Sequence, residues 1–131
     1  MDTCPCGTNQ QYSECCGKYH SGSASAPTAE ALMRSRYSAF VKGEIDYIQK
    51  TIPLLQRKSF DRRSTKEWSE QSQWLGLEIL SAKGGIEDKR GKVEFIARFQ
   101  QNGVEHTLHE ISSFEKIDGK WLYVSGKIIG S

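Results

Sequence analysis

All four cysteines of this 131-residue chain fall within its first sixteen positions. They read Cys4-Pro5-Cys6, then eight residues, then Cys15-Cys16. With no thiol downstream, the four act as one local group. Thiolates are soft ligands, and four of them in a tetrahedron suit zinc. Gly7 permits a tight turn beside the first pair, and Pro5 stiffens it. Thr8 to Ser13 is a polar loop whose one aromatic, Tyr12, is placed to cover a side of the cluster. Cys15 and Cys16 are expected on a one-turn helix, with Gly17 as its stop.

Disulfides are the competing chemistry. A Cys15–Cys16 bond is poor, because adjacent Cα atoms lie closer than the usual disulfide range. Crossed bonds between the two pairs remain open, as do free thiols, another metal and a redox role. Oxidised pairs need an oxidising compartment, and Met1-Asp2-Thr3 shows neither a basic start nor an apolar run. A signal peptide is therefore not expected, and a cytoplasmic location is. In a reducing compartment, clustered cysteines are more often metal ligands. Cys4, Cys6, Cys15 and Cys16 are accordingly the expected ligands of a structural Zn2+. His20 offers a substitute ligand that four thiolates make unnecessary.

The segment Cys4-Pro5-Cys6-Gly7 … Tyr12-Ser13-Glu14-Cys15-Cys16-Gly17 resembles the SEC-C motif, named for the C-terminal end of the SecA translocation ATPase. Three further blocks are similar to YchJ-like proteins: Leu32 to Phe40 with Asp46-Tyr47, Trp74-Leu75-Gly76-Leu77, and Phe95 to Phe99. The resemblance covers nearly the whole chain. It implies a zinc-binding SEC-C segment (residues 1–22) ahead of an NTF2-like, cystatin-like α+β domain (residues 23–131). It implies no particular activity. Some members carry a second SEC-C motif at the C-terminus, which Lys127 to Ser131 does not match, so a role needing two such modules is not expected.

Downstream patterning gives the same class. Ser21 to Pro27 is a small-residue linker, expected to be mobile or loosely draped. Thr28 is a good N-cap for a helix over 29–42, with Leu32, Met33, Arg36, Tyr37 and Phe40 on one face. Gly43 ends it. A second helix is expected over 44–52 and a third over 64–73, the latter anchored by Trp68. Strands follow over 74–82, 92–100, 104–117 and 120–129, with Asn102-Gly103 and Asp118-Gly119 as hairpin turns. The result is a four-stranded antiparallel meander wrapped as a cone around N-terminal helices.

The interior face of the third strand carries Leu108, Glu110, Ser112 and Phe114. A lone buried carboxylate is costly, so Glu110 is expected to pair with Arg36. A cavity at the open end of the cone would draw on Arg36, Tyr37, Phe40, Trp74, Phe99, His109, Glu110, Phe114 and Trp121. His106 and His109, three apart on a strand, point to opposite faces and cannot share a metal. No nucleophile elbow, phosphate loop or H-E-x-x-H is present, so no catalytic residue is assigned.

Three functions follow from these readings. The first is a zinc-dependent module that docks a protein partner, as the resemblance to the partner-docking end of SecA implies. It predicts that zinc removal unfolds residues 3–20 while the α+β domain persists. The second is a small-molecule pocket protein or enzyme. The third, nucleic-acid binding through Arg57, Lys58, Arg62 and Arg63, is disfavoured. The net charge is only +2, and the basic run lacks interleaved stacking aromatics. No apolar run is long enough for a membrane span. Homodimerisation through the sheet is left open.

Overall fold

The computed structural model describes residues 3–130. Met1, Asp2 and Ser131, which belong to the expected segments, lie outside the described residues. The chain opens with a 3-10 turn, Tyr12–Glu14, and helix α1, Cys16–His20. Helices α2 (Ala29–Lys42), α3 (Ile45–Lys50), α4 (Leu54–Arg57) and α5 (Arg62–Gln71) follow. Strands β1 (Gln73–Lys83), β2 (Arg90–Gln101), β3 (Val104–Ile117) and β4 (Lys120–Gly130) complete the chain. The sheet is an antiparallel meander in the order β1-β2-β3-β4. The class is α+β, as expected.

The helix signals act where the sequence places them. Thr28 Oγ1 accepts from Ala31 N at 3.0 Å, and Gly43 closes α2 in the left-handed region at φ 75°. Such an N-cap is worth about 1 kcal/mol. Both hairpins carry two successive residues at positive φ, Asn102-Gly103 and Asp118-Gly119, which is the type I′ requirement. Two helix expectations shift. The second helix stops at Lys50, and α4 forms after Pro53 as a separate turn. The third starts two residues early because the Asp61 carboxylate caps Ser64 N at 2.9 Å.

α2 is the central element. Leu32, Met33 and Tyr37 are buried against the sheet, as the pattern predicts. Ser35, Ser38 and Ala39 are also fully buried. The helix is covered on a second side, where the cysteine module lies. The linker is fastened rather than draped: Ala26 is buried, and Trp121 Nε1 donates to Pro27 O at 3.1 Å. The basic stretch is likewise committed in part to structure. Arg57 donates to Ile52 O and Lys50 O, and Arg62 binds Asp46 and Gln49.

The first turn of α2 touches the sheet backbone itself. Ala29 N donates to Gly84 O at 3.0 Å, and a Cβ on Gly91 would lie 2.8 Å from Ala29 Cβ. Gly91→Ala is therefore expected to destabilise the fold by about 1–3 kcal/mol through overpacking. A fall in the urea midpoint with an unchanged slope checks this.

Candidate metal centre and cavity

The chain brings the four thiols together by two local devices. Cys4 N donates to Gln10 O at 2.7 Å, and Thr3 bridges Gln11, closing the loop that carries Cys4 and Cys6. Cys15 N then donates to Tyr12 O at 3.1 Å, which turns Cys15 and Cys16 back toward the first pair. The ligand sulfurs all lie within 4.8 Å of one another, and all four cysteines are buried. Cys6 and Cys15 Sγ are 3.6 Å apart. No disulfide joins them. Tyr12 packs against the cluster, as the sequence suggested.

Gly17 does not stop the helix. It sits inside α1, where a Cβ would meet Tyr12 O at 2.6 Å. Its role is to admit the Tyr12 backbone, and α1 runs on to His20.

The thiols share charge unequally. Cys6 falls to about 4, chiefly because Cys16 donates to its thiolate, with help from Thr8 and against the effect of burial. Cys16 is pushed up by the same contact and by burial. The Thr8 hydroxyl lies 3.6 Å from Cys6 Sγ and 3.2 Å from Cys15 Sγ. A buried set of sulfurs with one held as thiolate is suited to a soft cation.

The module is pinned to α2 by polar contacts. Arg34 Nη1 donates to Cys6 O at 2.6 Å, Cys4 Sγ lies 3.5 Å from Ser38 Oγ, and Lys42 Nζ sits over the Tyr12 ring. His20 is not near enough to the thiols to join their cluster. Its Nε2 donates to Ser35 O at 2.8 Å, because a carbonyl can only accept, and Nδ1 accepts from the Tyr12 hydroxyl at 2.5 Å. It is a neutral clasp between module and helix, and burial pushes its pKa down from 6.5.

The second candidate site is a cavity of about 130 Å3 between α2, α5 and the sheet. Five of the expected residues line it: Arg36, Tyr37, Phe40, Trp74 and Glu110. Trp68 adds to its wall, in contact with Phe40 at 5.0 Å and Trp74 at 5.6 Å. The other four expected residues lie elsewhere. Phe99 stands behind the Trp68–Trp74 pair and stacks on His106. Phe114 is a fully buried core residue. Trp121 lines a separate cavity of about 200 Å3 under the linker, with Tyr19, Tyr47 and Lys50. His109 points to the opposite face of the sheet, as its alternation with Glu110 requires, and binds Glu94 at 2.7 Å.

Arg36 and Glu110 do not form the expected direct pair. Tyr123 comes between them. The Arg36 guanidinium lies over its ring, 4.6 Å from the centroid, and its hydroxyl donates to Glu110 Oε2 at 3.2 Å. Arg36 Nη1 instead donates to Ile48 O at 2.9 Å and Thr51 Oγ1 at 2.5 Å. Burial lowers the Arg36 pKa to about 10, which leaves it charged at neutral pH. Ser112 Oγ also donates to Glu110 Oε2, at 2.5 Å.

Gly126 makes this arrangement fit. It pairs with Ser112 across β3 and β4, and a Cβ there would overlap both the Glu110 carboxylate and the Tyr123 hydroxyl. A glycine inside a strand is a signal of close approach. It was the available clue to Tyr123, which the sequence pattern alone did not single out.

Residues 2–18 match the SEC-C motif, and residues 28–126 match the family described as YchJ, middle NTF2-like domain. A UPF0225 protein of Geobacter sulfurreducens is 48% identical over 94% of this chain and 77% of its own length. A UPF0225 protein of Streptomyces coelicolor is 42% identical over 96% of this chain and 95% of its own. The solution structure of a SEC-C motif containing protein from Rhodopseudomonas palustris superposes with a TM-score of 0.89 at 38% identity, covering 98% of this chain and 100% of that one. The crystal structure of a sec-c motif containing protein from Psychrobacter arcticus gives 0.86 at 32% identity, covering 100% and 85%.

The His20 clasp makes stability depend on pH in a defined direction. Its folded pKa lies below the unfolded value near 6.5, so the unfolded chain binds the extra proton. Its contribution is complete above about pH 6.5 and is lost as pH falls below it. Denaturation midpoints of wild type and His20→Gln at pH 5 to 8 should converge on the acid side, and parallel curves would contradict the clasp.

Proposed function

The chain belongs to the YchJ-like family, with a SEC-C motif ahead of an NTF2-like domain, and from that premise we propose that its four cysteines hold a structural zinc ion that keeps a protein-docking surface in shape. The observation that carries the reading is the convergence of four buried ligand sulfurs within 4.8 Å. Zinc–sulfur bonds of ~2.3 Å in a tetrahedron put the sulfurs about 3.8 Å apart. The 3.6 Å between Cys6 and Cys15 already approaches that spacing. Four thiolates fill a tetrahedral shell, so a metal held this way has no position for a substrate. Its contribution is shape.

The shape is that of an exposed loop. Gly7 to Gln11, with Ser13 and Glu14, are exposed. Asn9 holds a left-handed turn at φ 65°. A loop stapled at both ends offers its backbone groups in fixed positions, which reduces the ordering cost of binding. The partner is a protein, and the resemblance to the partner-docking end of SecA supports this choice.

Metal analysis of the purified full chain should find about one zinc per chain, and Cys15→Ser should lose it. An affinity capture run with both forms should retain a specific protein only on the zinc-loaded one. Absence of zinc, or capture indifferent to Cys15→Ser, would sink the reading. Chelation should release residues 3–20 while the sheet persists. It should also lower the melting temperature, because Arg34 and Ser38 lose their contacts to the module.

A further inference from the structure

The cavity between α2, α5 and the sheet has an unusual combination of walls and floor. Tyr37, Phe40, Trp68 and Trp74 make an aromatic enclosure. Its floor holds two buried charges of opposite sign, Arg36 and Glu110, each with a relative exposure of only 8–9%. A cavity intended only as a packing gap in the core would be apolar.

Both charges keep unused hydrogen-bonding capacity. The hydrogen bonds of Arg36 leave from Nη1, and those of Glu110 fall on Oε2. Among the described residues, no fully buried side-chain nitrogen or oxygen lacks a partner. The free Nε and Nη2 of Arg36 and the free Oε1 of Glu110 therefore reach accessible space, and the cavity both residues line is that space. The Tyr123 ring keeps the charges from collapsing on each other, and Gly126 gives the carboxylate its room.

We propose that this cavity binds a small, planar, single-ring aromatic molecule whose neutral head carries a donor beside an acceptor, as in a carboxamide. The aromatic walls take the ring. Glu110 accepts from the head's N–H, and Arg36 donates to its carbonyl. The size limits the ligand to one ring: an apolar cavity of ~150 Å3 holds benzene, and this one is smaller, about 130 Å3, so its walls must give to admit the head as well. The head must be neutral, because the floor is neutral as a pair. A carboxylate would meet Arg36 but be repelled by Glu110, and an amidinium would meet Glu110 but be repelled by Arg36. Discrimination thus comes from the charge left unmatched. This site is separate from the cysteine cluster and stands or falls independently of the docking role.

The test uses the zinc-loaded full chain and four probes of one ring: benzamide, benzoate, benzamidine and toluene. Binding is read from the indole N–H signals of Trp68 and Trp74 in heteronuclear NMR titrations. Benzamide is expected to bind saturably and at least about tenfold more tightly than each of the others, the cost of roughly one unmatched polar contact. Glu110→Gln should invert the order by removing the repulsion, so that benzoate overtakes benzamide. A purely structural Glu110 would not change the ranking. The wild-type ranking alone decides the matter if that variant fails to fold. Toluene equal to benzamide, a charged probe ranked first, or no saturable shift with any probe would each overturn the proposal.

Discussion

Four sulfurs drawn to one point set the conditions for the rest of this molecule. A segment of about twenty residues has no apolar core of its own, and among the described residues Tyr12 alone joins the thiols there. Below about 40 residues a chain usually needs a disulfide, a metal or a partner surface to hold shape. The thiol cluster and the surface of α2 supply those needs together. Arg34, Ser35 and Ser38 are the receiving side, and each meets a group of the module: Cys6 O, His20 and Cys4. The helix that organises the NTF2-like core is therefore also the platform for the SEC-C segment.

That double duty explains the composition of α2. A helix facing a sheet on one side needs one apolar stripe. This one is buried on two sides, and its second side is lined by small polar residues instead of aliphatic ones. Serine suits a surface that must approach a cysteine loop closely while satisfying hydroxyl and carbonyl groups. Ser35 shows the economy of the choice: its hydroxyl bonds Leu32 O and Tyr47 OH, and its carbonyl receives His20. On the first side, the one charged residue of the stripe, Arg36, stays ionised because carbonyl, hydroxyl and ring partners replace its water.

Much of this was legible in the sequence, and the reasons for the rest are specific. The cysteine spacing, the Thr28 cap, the two turn dipeptides and the alternation of β2 and β3 are local signals, and the elements they predict are present. The burial of Glu110 was legible from alternation, but its partner was not. Alternation gives a face and says nothing of the β4 bulge that sets Tyr123 opposite Phe114. Ser35 and Ser38 fall outside the apolar face that the pattern gives, and nothing in a helical pattern announces a second body docking there. The linker read as loose for the same reason: Trp121 Nε1 reaches it from 94 residues away. His109 was drawn into the cavity by its neighbour Glu110, although adjacent strand residues must diverge.

The central claim is that Cys4, Cys6, Cys15 and Cys16 together form one closed metal shell. X-ray absorption at the zinc edge of the purified full chain tests it most directly. The account predicts a shell of four sulfurs at ~2.3 Å and no nitrogen or oxygen. A shell that includes a histidine nitrogen or a water oxygen, or protein that carries no zinc and shows paired disulfides instead, would contradict it.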